Sequence, residues 1–330
     1  MGNGMKSEIL AFLRERRDYV SGQELCEHFG VSRTAVWKAI NQLKKEGYSI
    51  LAVQNRGYRL ADEDEVFGQN ELESRMTTRW AGHPLSFYET IDSTNLRAKL
   101  DAEQGAAEGS LIVADMQTSG RGRRGRAWSS PSGVNVYFTL LLKPDYAPDK
   151  AAMTTIVMAL AVAEGIRKTC GVDAGIKWPN DIVAEGKKVC GMLTEMSVEQ
   201  DFIHYVVIGV GINVGRQSFA PEIAQTAISL EEACGEKVPR AALVANIMQA
   251  FEEYYEVFCR EMDLSGLLDE YNKRLVNCNR EVRVLDPKGE FAGIARGINS
   301  TGELLVEISD GTVKEIYAGE VSVRGIYGYV

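Results

Sequence analysis

Seven consecutive residues concentrate positive charge and glycine in one short stretch. The sequence GRGRRGR, residues 120–126, holds four arginines and three glycines in a chain whose formal net charge is −9. Glycine lets the backbone approach a ligand closely, while guanidinium groups and backbone N–H donors offer many partners for phosphate or carboxylate oxygens. The stretch predicts binding of an anionic ligand; a solvated basic loop or a general polyanion patch is the alternative.

The same letters match the dinucleotide fingerprint G-x-G-x-x-G. An apolar strand from Leu111 to Ala114 can precede it, but a dinucleotide-binding turn must then open a helix. Residues 127–133 read AWSSPSG instead, which is a loop composition. A Walker A loop is excluded because no Gly-Lys-Ser/Thr closes the segment. We therefore expect a phosphate-binding loop that leads into no helix.

A second charged motif follows about fifty residues later. Residues 177–181 read KWPND, and the apolar segments after them flank a turn at residues 184–187. This pattern predicts hairpin strands from which Lys177, Asp181 and Lys188 project. Charged groups on an apolar hairpin cost free energy unless they face water or a charged ligand. The three side chains are therefore candidates for an anion site.

Two weaker signals complete the central region. Ser93, Thr94 and Asn95 follow a predicted strand from Ser86 to Glu89 and open a helix, where they either cap the helix or bind the polar end of a ligand. Farther along, an apolar strand at residues 202–208 ends in GVGINV. These glycines would let a planar ring lie close to the backbone.

The first sixty residues have a different pattern. Apolar residues at helical spacing predict helices over residues 5–17, 22–29 and 33–46, with Gly30-Val31-Ser32 as the turn between the last two. Two short strands at residues 48–53 and 58–60 flank a basic tip. Helix, tight turn, helix and hairpin are typical of a winged helix-turn-helix.

The charge distribution supports a nucleic-acid partner for this module alone. Residues 1–60 hold 10 Lys and Arg against 6 Asp and Glu, whereas the remainder holds 27 against 40. A basic module on an acidic body points to DNA. A winged helix that binds protein or is purely structural remains the alternative. The residues predicted to contact DNA are Ser32, Arg33, Thr34, Trp37 and Lys38 at the groove and Arg56 on the wing.

Composition bounds the remaining possibilities. The 330 residues are 45% hydrophobic and 25% charged, which is ordinary for globular proteins and predicts two or three domains. The longest apolar stretch, near residues 156–163, predicts a buried helix and no membrane association. Because no signal segment precedes the first helix, we expect a cytoplasmic protein. Six dispersed cysteines, interpreted as mostly buried thiols, and three histidines predict neither a protein-held metal nor a Ser-His-Asp mechanism.

Taken in this order, the segments GRGRRGR and KWPND with their neighbours resemble the biotin protein ligase family. With the winged helix, the chain resembles the bifunctional bacterial members that also repress biotin genes. The resemblance implies a multidomain α/β (α+β) protein. Its expected parts are a winged helix-turn-helix over residues 1–63, a class II synthetase-like mixed sheet with helices over 64–277, and an SH3-like β-barrel over 278–330. The acidic run at residues 61–65 would be the linker.

The barrel prediction agrees with alternating strands at residues 281–285, 291–295, 304–308 and 312–316, separated by turns that include Pro287-Lys288-Gly289.

The family's reaction joins a carboxylic acid to a lysine in two steps. Biotin attacks the α-phosphate of ATP to give biotinyl-5′-AMP and pyrophosphate, and a lysine of a biotin carboxyl carrier protein then attacks the mixed anhydride. The resemblance implies biotin and ATP as substrates, Mg²⁺ accompanying ATP, and biotinyl-5′-AMP as intermediate and corepressor. It also implies operator DNA and a ligand-promoted homodimer as partners.

The resemblance also assigns residues. It gives catalytic roles to Arg123, Lys188 and Asp181. It gives biotin contacts to Ser93, Thr94, Asn95, Gln117, Arg121, Arg123, Lys188 and Gly191. It gives ATP or adenylate contacts to Gly120, Arg121, Gly122, Arg123, Arg126, Trp128, Lys177, Asn180, Lys188, Gly209 and Asn213.

Two other functions remain open from the sequence. A lipoate-type protein ligase shares the general chemistry, and a ligand-sensing repressor could lack ligase activity. We also expect the loop at residues 120–126 to be mobile without ligand, because like charges repel and glycine is costly to order.

Overall fold

The computed structural model describes residues 3–61, 66–286, 289–317 and 322–325. Two units follow from its internal contacts. The first contains Met1–Thr77 and Pro239–Ala245, and the second contains Thr78–Val238 and Asn246–Val330.

The first unit is a winged helix-turn-helix, as predicted. Its elements in chain order are α1 (Asn3–Arg16), α2 (Gly22–Phe29), α3 (Arg33–Lys45), β1 (Ile50–Val53), β2 (Gly57–Leu60) and α4 (Gln69–Arg75). Ser21 and Ser32 cap α2 and α3 by accepting the backbone N–H of the residue three positions later. Gly30 ends α2 at φ +63°, a conformation that glycine adopts without strain. The antiparallel β1 and β2 form the wing.

Helix α4 was not expected in this unit. The predicted boundary between residues 63 and 64 lies outside the described residues, and the first unit continues to Thr77. The guanidinium of Arg14 on α1 donates to both carboxylate oxygens of Glu71 at 2.8 and 2.9 Å, while Leu72 is fully buried. Seven mostly polar residues give little hydrophobic periodicity, so the sequence did not reveal that α4 packs against α1.

The centre of the second unit is a mixed seven-stranded sheet, as expected. Its strand order is β3-β4-β5-β9-β8-β7-β6, with β3 and β4 parallel and every other pair antiparallel. The strands are β3 (Leu85–Ile91), β4 (Leu111–Gln117), β5 (Val136–Leu142), β6 (Gly175–Lys177), β7 (Asp181–Ala184), β8 (Lys187–Glu199) and β9 (Phe202–Ile212).

Two long helices pack on this sheet, α5 (Thr94–Glu103) and α6 (Ala151–Cys170). The helices that follow in the chain are α7 (Leu230–Cys234), α8 (Arg240–Glu261) and α9 (Leu268–Arg274). Helix α5 packs on β4, β5 and β9, while α6 packs on β6 to β9. Residues 156–163 lie buried within α6, which confirms the buried-helix prediction. Burial of this apolar surface is the main favourable contribution to the fold of the unit.

The C-terminal segment is an antiparallel sheet of five strands in the order β13-β12-β11-β10-β14. The strands are β10 (Glu281–Leu285), β11 (Phe291–Ile298), β12 (Leu304–Glu307), β13 (Val313–Ile316) and β14 (Ser322–Gly325). Four had been predicted, whereas β14 had not, and the turn at residues 287–288 lies outside the described residues. Within the described ranges β13 and β14 do not pair, so closure into an SH3-like barrel stays a prediction.

Contacts join this C-terminal sheet to the central one. The indole N–H of Trp178, in the KWPND motif, donates to the Gly302 carbonyl at 2.9 Å, and the side-chain carbonyl of Asn272 on α9 accepts the Ile298 N–H at 2.9 Å. Residues 278–325 therefore belong to the same unit as the sheet.

Candidate active site and nucleic-acid interface

A cavity of about 700 Å³ opens in the second unit. It lies where the loop at residues 120–128, the start of α5, strands β7 to β9 and the segment at residues 217–227 meet. All but one of the predicted ligase-site residues line it: Ser93, Thr94, Asn95, Gln117, Arg121, Gly122, Arg123, Arg126, Trp128, Lys177, Asn180, Asp181, Lys188, Gly191, Gly209 and Asn213. The exception is Gly120. Residues from five separate stretches of sequence are therefore brought to one concave surface.

The glycine- and arginine-rich loop folds as a small hairpin. Gly122 N–H donates to the Arg126 carbonyl at 2.7 Å and Trp128 N–H to the Gly120 carbonyl at 2.9 Å. Between them, Arg124 and Gly125 take positive φ values of 57° and 70°. A Cβ at Gly120 would overlap the Trp128 carbonyl, so glycine is required there for close packing. The loop opens no α-helix, which confirms that it is not a dinucleotide-binding turn.

Two cationic side chains that line the cavity are each fixed by a polar partner. The Arg123 guanidinium donates to Asn180 Oδ1 at 2.9 Å, and the Lys188 ammonium donates to Asp181 Oδ1 at 2.6 Å. Burial lowers the pKa of Arg123, with the Asp181 charge acting in the opposite direction. A guanidinium remains protonated at neutral pH despite such a shift. The hairpin strands thus present fixed positive charge to the cavity, together with the buried Lys177.

Neutral polar groups form the other end of the cavity. Gln117 Oε1 accepts the backbone N–H of Thr94 at 2.9 Å and lies 3.1 Å from its hydroxyl. The Gln117 amide nitrogen donates to Ser130 Oγ at 3.0 Å. Ser93 occupies the N-cap position of α5, yet its side chain makes no capping hydrogen bond. Capping by Ser93 therefore does not explain this segment.

Glycines place an aromatic ring at the cavity wall. A Cβ at Gly211 would come within 2.5 Å of the Trp128 indole nitrogen, and a Cβ at Gly191 within 3.0 Å of the same ring. The Lys188 ammonium lies 5.4 Å from the ring centroid, within cation–π range. Gly209, predicted to border the adenine, lines the cavity, and a Cβ at this position would overlap the Asn95 side chain. The planar ring packed against the glycines is thus a side chain of the protein itself.

Sequence reasoning missed part of the wall. The missed residues include Ala127, Ser129, Met192, Leu193, Gln217, Ser218, Phe219, Ala220, Glu222, Ile223, Thr226 and Ala227. The segment at residues 217–227 joins β9 to α7. The signal that could have revealed it is two large apolar residues, Phe219 and Ile223, in a connection otherwise rich in small and polar residues.

The cysteines are less buried than expected. Only Cys190 is buried among the six; Cys259 is exposed and the others are partly exposed. Sequence alone overestimated their burial because cysteine can occupy the partly exposed ends of helices, as Cys170 and Cys234 do.

The residues predicted to contact DNA are exposed in the first unit. Ser32, Arg33, Thr34, Trp37 and Lys38 are all exposed at the start of α3, and Trp37 retains 58% of its surface. Arg33 is oriented by Gln23 on α2, whose Oε1 accepts from Nη2 at 2.9 Å. Arg56 on the wing stacks over Tyr19 at 4.4 Å. Three of these six accessible side chains, Arg33, Lys38 and Arg56, are cationic.

Comparison with known proteins agrees with this geometry. Residues 87–213 match the model of the biotin/lipoate A/B protein ligase family, residues 6–59 match a helix-turn-helix domain, and residues 278–324 match the biotin protein ligase C-terminal domain. The bifunctional ligase/repressor BirA of Bacillus subtilis is 39% identical over 321 residues, covering 96% of this chain and 98% of the relative. The chain belongs to the bifunctional biotin ligase/repressor family.

A second bifunctional relative and a solved biotin protein ligase are also similar to this chain. The bifunctional ligase/repressor BirA of Escherichia coli is 32% identical over 323 residues, covering 98% of both chains. Among solved structures, a biotin protein ligase from Aquifex aeolicus in complex with biotin and ATP aligns with a TM-score of 0.64 at 30% identity, covering 74% of this chain and 99% of that one.

Two further findings concern the described residues of this family member. No helix among them is long and apolar enough to cross a membrane. Across the same ranges, no cluster of three or more His, Cys, Asp or Glu side chains could hold a metal ion.

Proposed function

We infer that this protein attaches biotin to a lysine of a biotin carboxyl carrier protein, with ATP as the second substrate and biotinyl-5′-AMP as the intermediate. We also infer that it represses transcription by binding DNA. One observation carries the inference: a cationic cavity and a winged helix occupy one chain that is similar along 96% of its length to a bifunctional ligase/repressor.

Electrostatics explains how the cavity can serve the first step. The biotin carboxylate and the α-phosphate of ATP repel one another, so the barrier falls when fixed cations surround their meeting point. A unit charge pair 4 Å apart gains about 4 kcal/mol at an effective dielectric constant of 20. Arg123 and Lys188 supply such charges beside the adjacent residues Asn180 and Asp181, and we assign catalytic roles to both. Arg121, Arg126 and Lys177 add to the positive field around the phosphates.

Orientation of the cations is the second contribution of the protein. Lys188 is held by Asp181, so its side chain does not have to be ordered from solution when ligand enters. Asn180 holds Arg123 in the same way once the loop at residues 120–126 is in place. We propose that Asp181 first fixes the Lys188 ammonium and then orients the incoming lysine of the carrier. Its contact with a cation makes orientation a better-supported role than proton removal.

The remaining wall divides by polarity. Ser93, Thr94, Asn95 and Gln117 form the neutral end, which suits the uncharged ureido ring of biotin, and we propose that Gly191 contacts biotin through its backbone. We propose that Trp128, Asn180, Asn213, Gly209 and the loop backbone at residues 120–122 border the adenylate. Because Gly209 contacts Asn95, its part is to let that side chain approach the sheet.

Magnesium would enter with the nucleotide. The cavity wall has cations and amides where phosphates would lie, and its carboxylates, Asp181 and Glu222, belong to separate segments. This donor set fits an ion carried by phosphate oxygens and not a cage made by protein ligands. Bound Mg²⁺ would neutralise part of the phosphate charge.

For the DNA-binding activity, we propose that α3 enters the major groove and that Arg56 on the wing meets the phosphate backbone. One such module reads a short site, so specific binding requires two copies. We therefore propose a homodimer promoted by biotinyl-5′-AMP and located in the cytoplasm, where ATP, carrier protein and DNA are all available.

Coupling between adenylate and dimer can be tested by sedimentation and operator binding with and without the ligand. Tighter dimerisation and tighter DNA binding are expected together. If the adenylate changes neither quantity, the coupling is wrong.

The ligase activity is tested by mass spectrometry of a carrier domain incubated with the protein, ATP and either biotin or lipoate. A mass increase with biotin is expected. Lipoyl transfer without biotinyl transfer would establish the lipoate-type alternative. If operator binding responds to biotin but neither transfer occurs, the protein is a ligand-sensing repressor without ligase activity.

A further inference from the structure

A carboxylate behind the cavity wall is connected to the neutral end of the site. Glu195 lies on β8 and does not line the cavity. One of its oxygens accepts from the amide nitrogen of Asn95 at 2.8 Å, and the other accepts from the Lys99 ammonium at 2.5 Å. Asn95 and Lys99 both lie on α5, one turn apart. Each carboxylate oxygen of Glu195 therefore has its own donor.

Asn95 itself is closely confined. Its side chain is 6% exposed, and a Cβ at Gly209 would overlap its amide oxygen. The amide nitrogen donates to Glu195 and to the Leu193 carbonyl, which is 3.2 Å away. Both partners accept hydrogen bonds and neither donates, provided that Glu195 is ionised. The amide oxygen of Asn95 must therefore face the opposite side, toward Thr139.

Ionisation of Glu195 is itself favoured by its neighbours. Burial opposes the charge, but hydrogen bonds from Lys99 and Asn95, with the positive charges of Lys99 and Arg121, hold the pKa of Glu195 below its ordinary value. The carboxylate is thus an acceptor at neutral pH.

The orientation of Asn95 determines the next hydrogen bonds. Thr139, fully buried on β5, has one hydroxyl proton and lies 2.6 Å from the Asn95 amide oxygen. That oxygen can only accept, so the proton points toward it. Because its proton is used, the Thr139 hydroxyl can only accept a hydrogen bond from the Thr94 hydroxyl, which lies 2.9 Å away. The Thr94 proton goes either to Thr139 or to Gln117, and in both cases it is used within the wall.

It follows that the Thr94 hydroxyl can offer only lone pairs to the cavity. A ligand group that meets it there has to be a donor. The N–H of a cyclic urea is such a group, whereas an acceptor would face an unpaired lone pair at a cost of about 1–3 kcal/mol. The polarity of this part of the wall is set three hydrogen bonds away, at Glu195.

We propose that Glu195 is a positioning residue for biotin recognition: it fixes the Asn95 amide so that Thr94 presents an acceptor to a ligand N–H. The proposal rests on the proposed biotin ligase function. It concerns binding of the neutral ring and not the chemistry at the phosphates, since Glu195 touches neither Arg123 nor Lys188 in the hydrogen-bond network described above.

A carboxylate has two acceptor oxygens, and replacing one of them tests the proposal directly. In Glu195→Gln one acceptor oxygen is replaced by an NH₂ group, so the new amide can serve Asn95 or Lys99 but not both. We expect the dissociation constant and KM for biotin to rise about tenfold or more, as for loss of a charge-assisted hydrogen bond. KM for ATP and kcat of adenylation should stay within about threefold of wild type.

A double variant separates this role from a general structural one. Lys99→Met removes the competing donor, so in Lys99→Met/Glu195→Gln the single amide oxygen is available to Asn95. Biotin affinity should recover to within about threefold of the Lys99→Met single variant. Loss of packing at residue 195 would not be repaired by removing Lys99. Glu199→Gln, in the same strand with its carboxylate 77% exposed, is the matched control and should bind biotin as wild type does.

Biotin binding is measured by calorimetry and adenylation by pyrophosphate release, with circular dichroism to confirm folding of each variant. Unchanged biotin affinity in Glu195→Gln, a fall in kcat without a change in KM for biotin, or failure of the double variant to recover would each overturn the proposal. Absence of biotin adenylation by the wild-type protein would instead overturn the proposed function, so the two failures are distinguishable.

Discussion

The Lys188 ammonium and the Asp181 carboxylate form an ion pair of 2.6 Å across neighbouring strands of one hairpin. Both side chains line the cavity, and the lysine also lies over the Trp128 ring. A lysine side chain has four rotatable bonds, and fixing it costs entropy unless a partner orders it beforehand. The ion pair therefore orients the Lys188 ammonium in advance. Without Asp181, an anionic ligand would have to order this side chain when it binds.

Replacing this cation should slow adenylate formation. We expect Lys188→Ala to reduce kcat for biotin-dependent pyrophosphate release about 100- to 1,000-fold, as for removal of one preorganised donor from a transition state. Lys187→Ala is the control, since Lys187 is adjacent but does not line the cavity. Equal rates for Lys188→Ala and wild type would contradict the catalytic role.

The second cation is expected to depend on its geometry as well as its charge. Arg123→Ala should impair adenylation severely, by about 100-fold, because the cation that lies beside Asn180 is lost. Arg123→Lys keeps the positive charge but lacks the planar guanidinium, so its adenylation rate should fall between those of wild type and Arg123→Ala. Steady-state pyrophosphate release measures the series, with the exposed Arg260→Ala as control. A wild-type rate in Arg123→Ala would refute the assignment.

Glycine at position 211 is predicted to be needed for the shape of the cavity. In Gly211→Ala the new methyl group would lie 2.5 Å from the Trp128 indole nitrogen, so the ring has to move. Such overpacking typically costs about 1–3 kcal/mol, and we expect weaker ATP binding by about tenfold, measured by calorimetry. Gly68→Ala, where no atom lies within 4 Å, should have no effect on ATP affinity. The packing explanation fails if both variants bind ATP equally well.

Substitution on the exposed face of α3 should separate the two activities. Arg33→Ala is expected to weaken operator binding by about 1–3 kcal/mol in a fluorescence anisotropy titration at fixed salt. Biotin transfer to the carrier domain should be unchanged. Lys45→Ala, in the last turn of the same helix, removes one charge away from the predicted contact residues and should weaken DNA binding less. If Lys45→Ala weakened DNA binding more than Arg33→Ala, the DNA would contact a different part of the first unit.

A buried carboxylate is expected to make stability depend on pH. Glu252 on α8 is 4% exposed and accepts the backbone N–H groups of Arg79, Trp80 and Ala81 at 2.9–3.1 Å. Burial opposes its charge, but these hydrogen bonds outweigh burial and hold the pKa of Glu252 below its ordinary value. Because the pKa is lowered in the folded protein, the stabilisation is complete above the unfolded-state pKa of about 4.3 and is lost as pH falls through the folded-state pKa.

We therefore expect Glu252→Gln to lower the free energy of unfolding at pH 7 by about 1–3 kcal/mol, measured by thermal denaturation. The difference from wild type should shrink as pH falls below about 4. Glu253→Gln, its exposed neighbour, should denature with wild-type Tm. A difference that grows toward acid would have the wrong sign for this explanation.

Hydrophobic periodicity and turn residues were sufficient to predict several elements of the fold. Helix α3 could be predicted because Val36, Ile40 and Leu43 recur at helical spacing after a capping serine. The wing was evident from two apolar segments separated by Gln54 to Gly57. These elements depend on contacts close in sequence, which periodicity and turn chemistry describe directly.

The site could be predicted in its composition but not in its connections. GRGRRGR and KWPND identified an anion-binding region from residue types alone, because cations and glycines at such density have few other uses. Their hydrogen bonds were not accessible: Arg123 to Asn180 spans 57 residues, and Asn95 to Glu195 spans 100.

Thus the sequence by itself determined the first three helices, the wing, several strands and the chemical character of the cavity, since each is encoded in short stretches of residue types. Only the tertiary structure decided that α4 belongs to the first unit, that Trp128 packs on Gly191 and Gly211, and that residues 217–227 close one wall. The reason is physical: these features depend on which distant residues share a volume, and periodicity along the chain carries no record of such contacts.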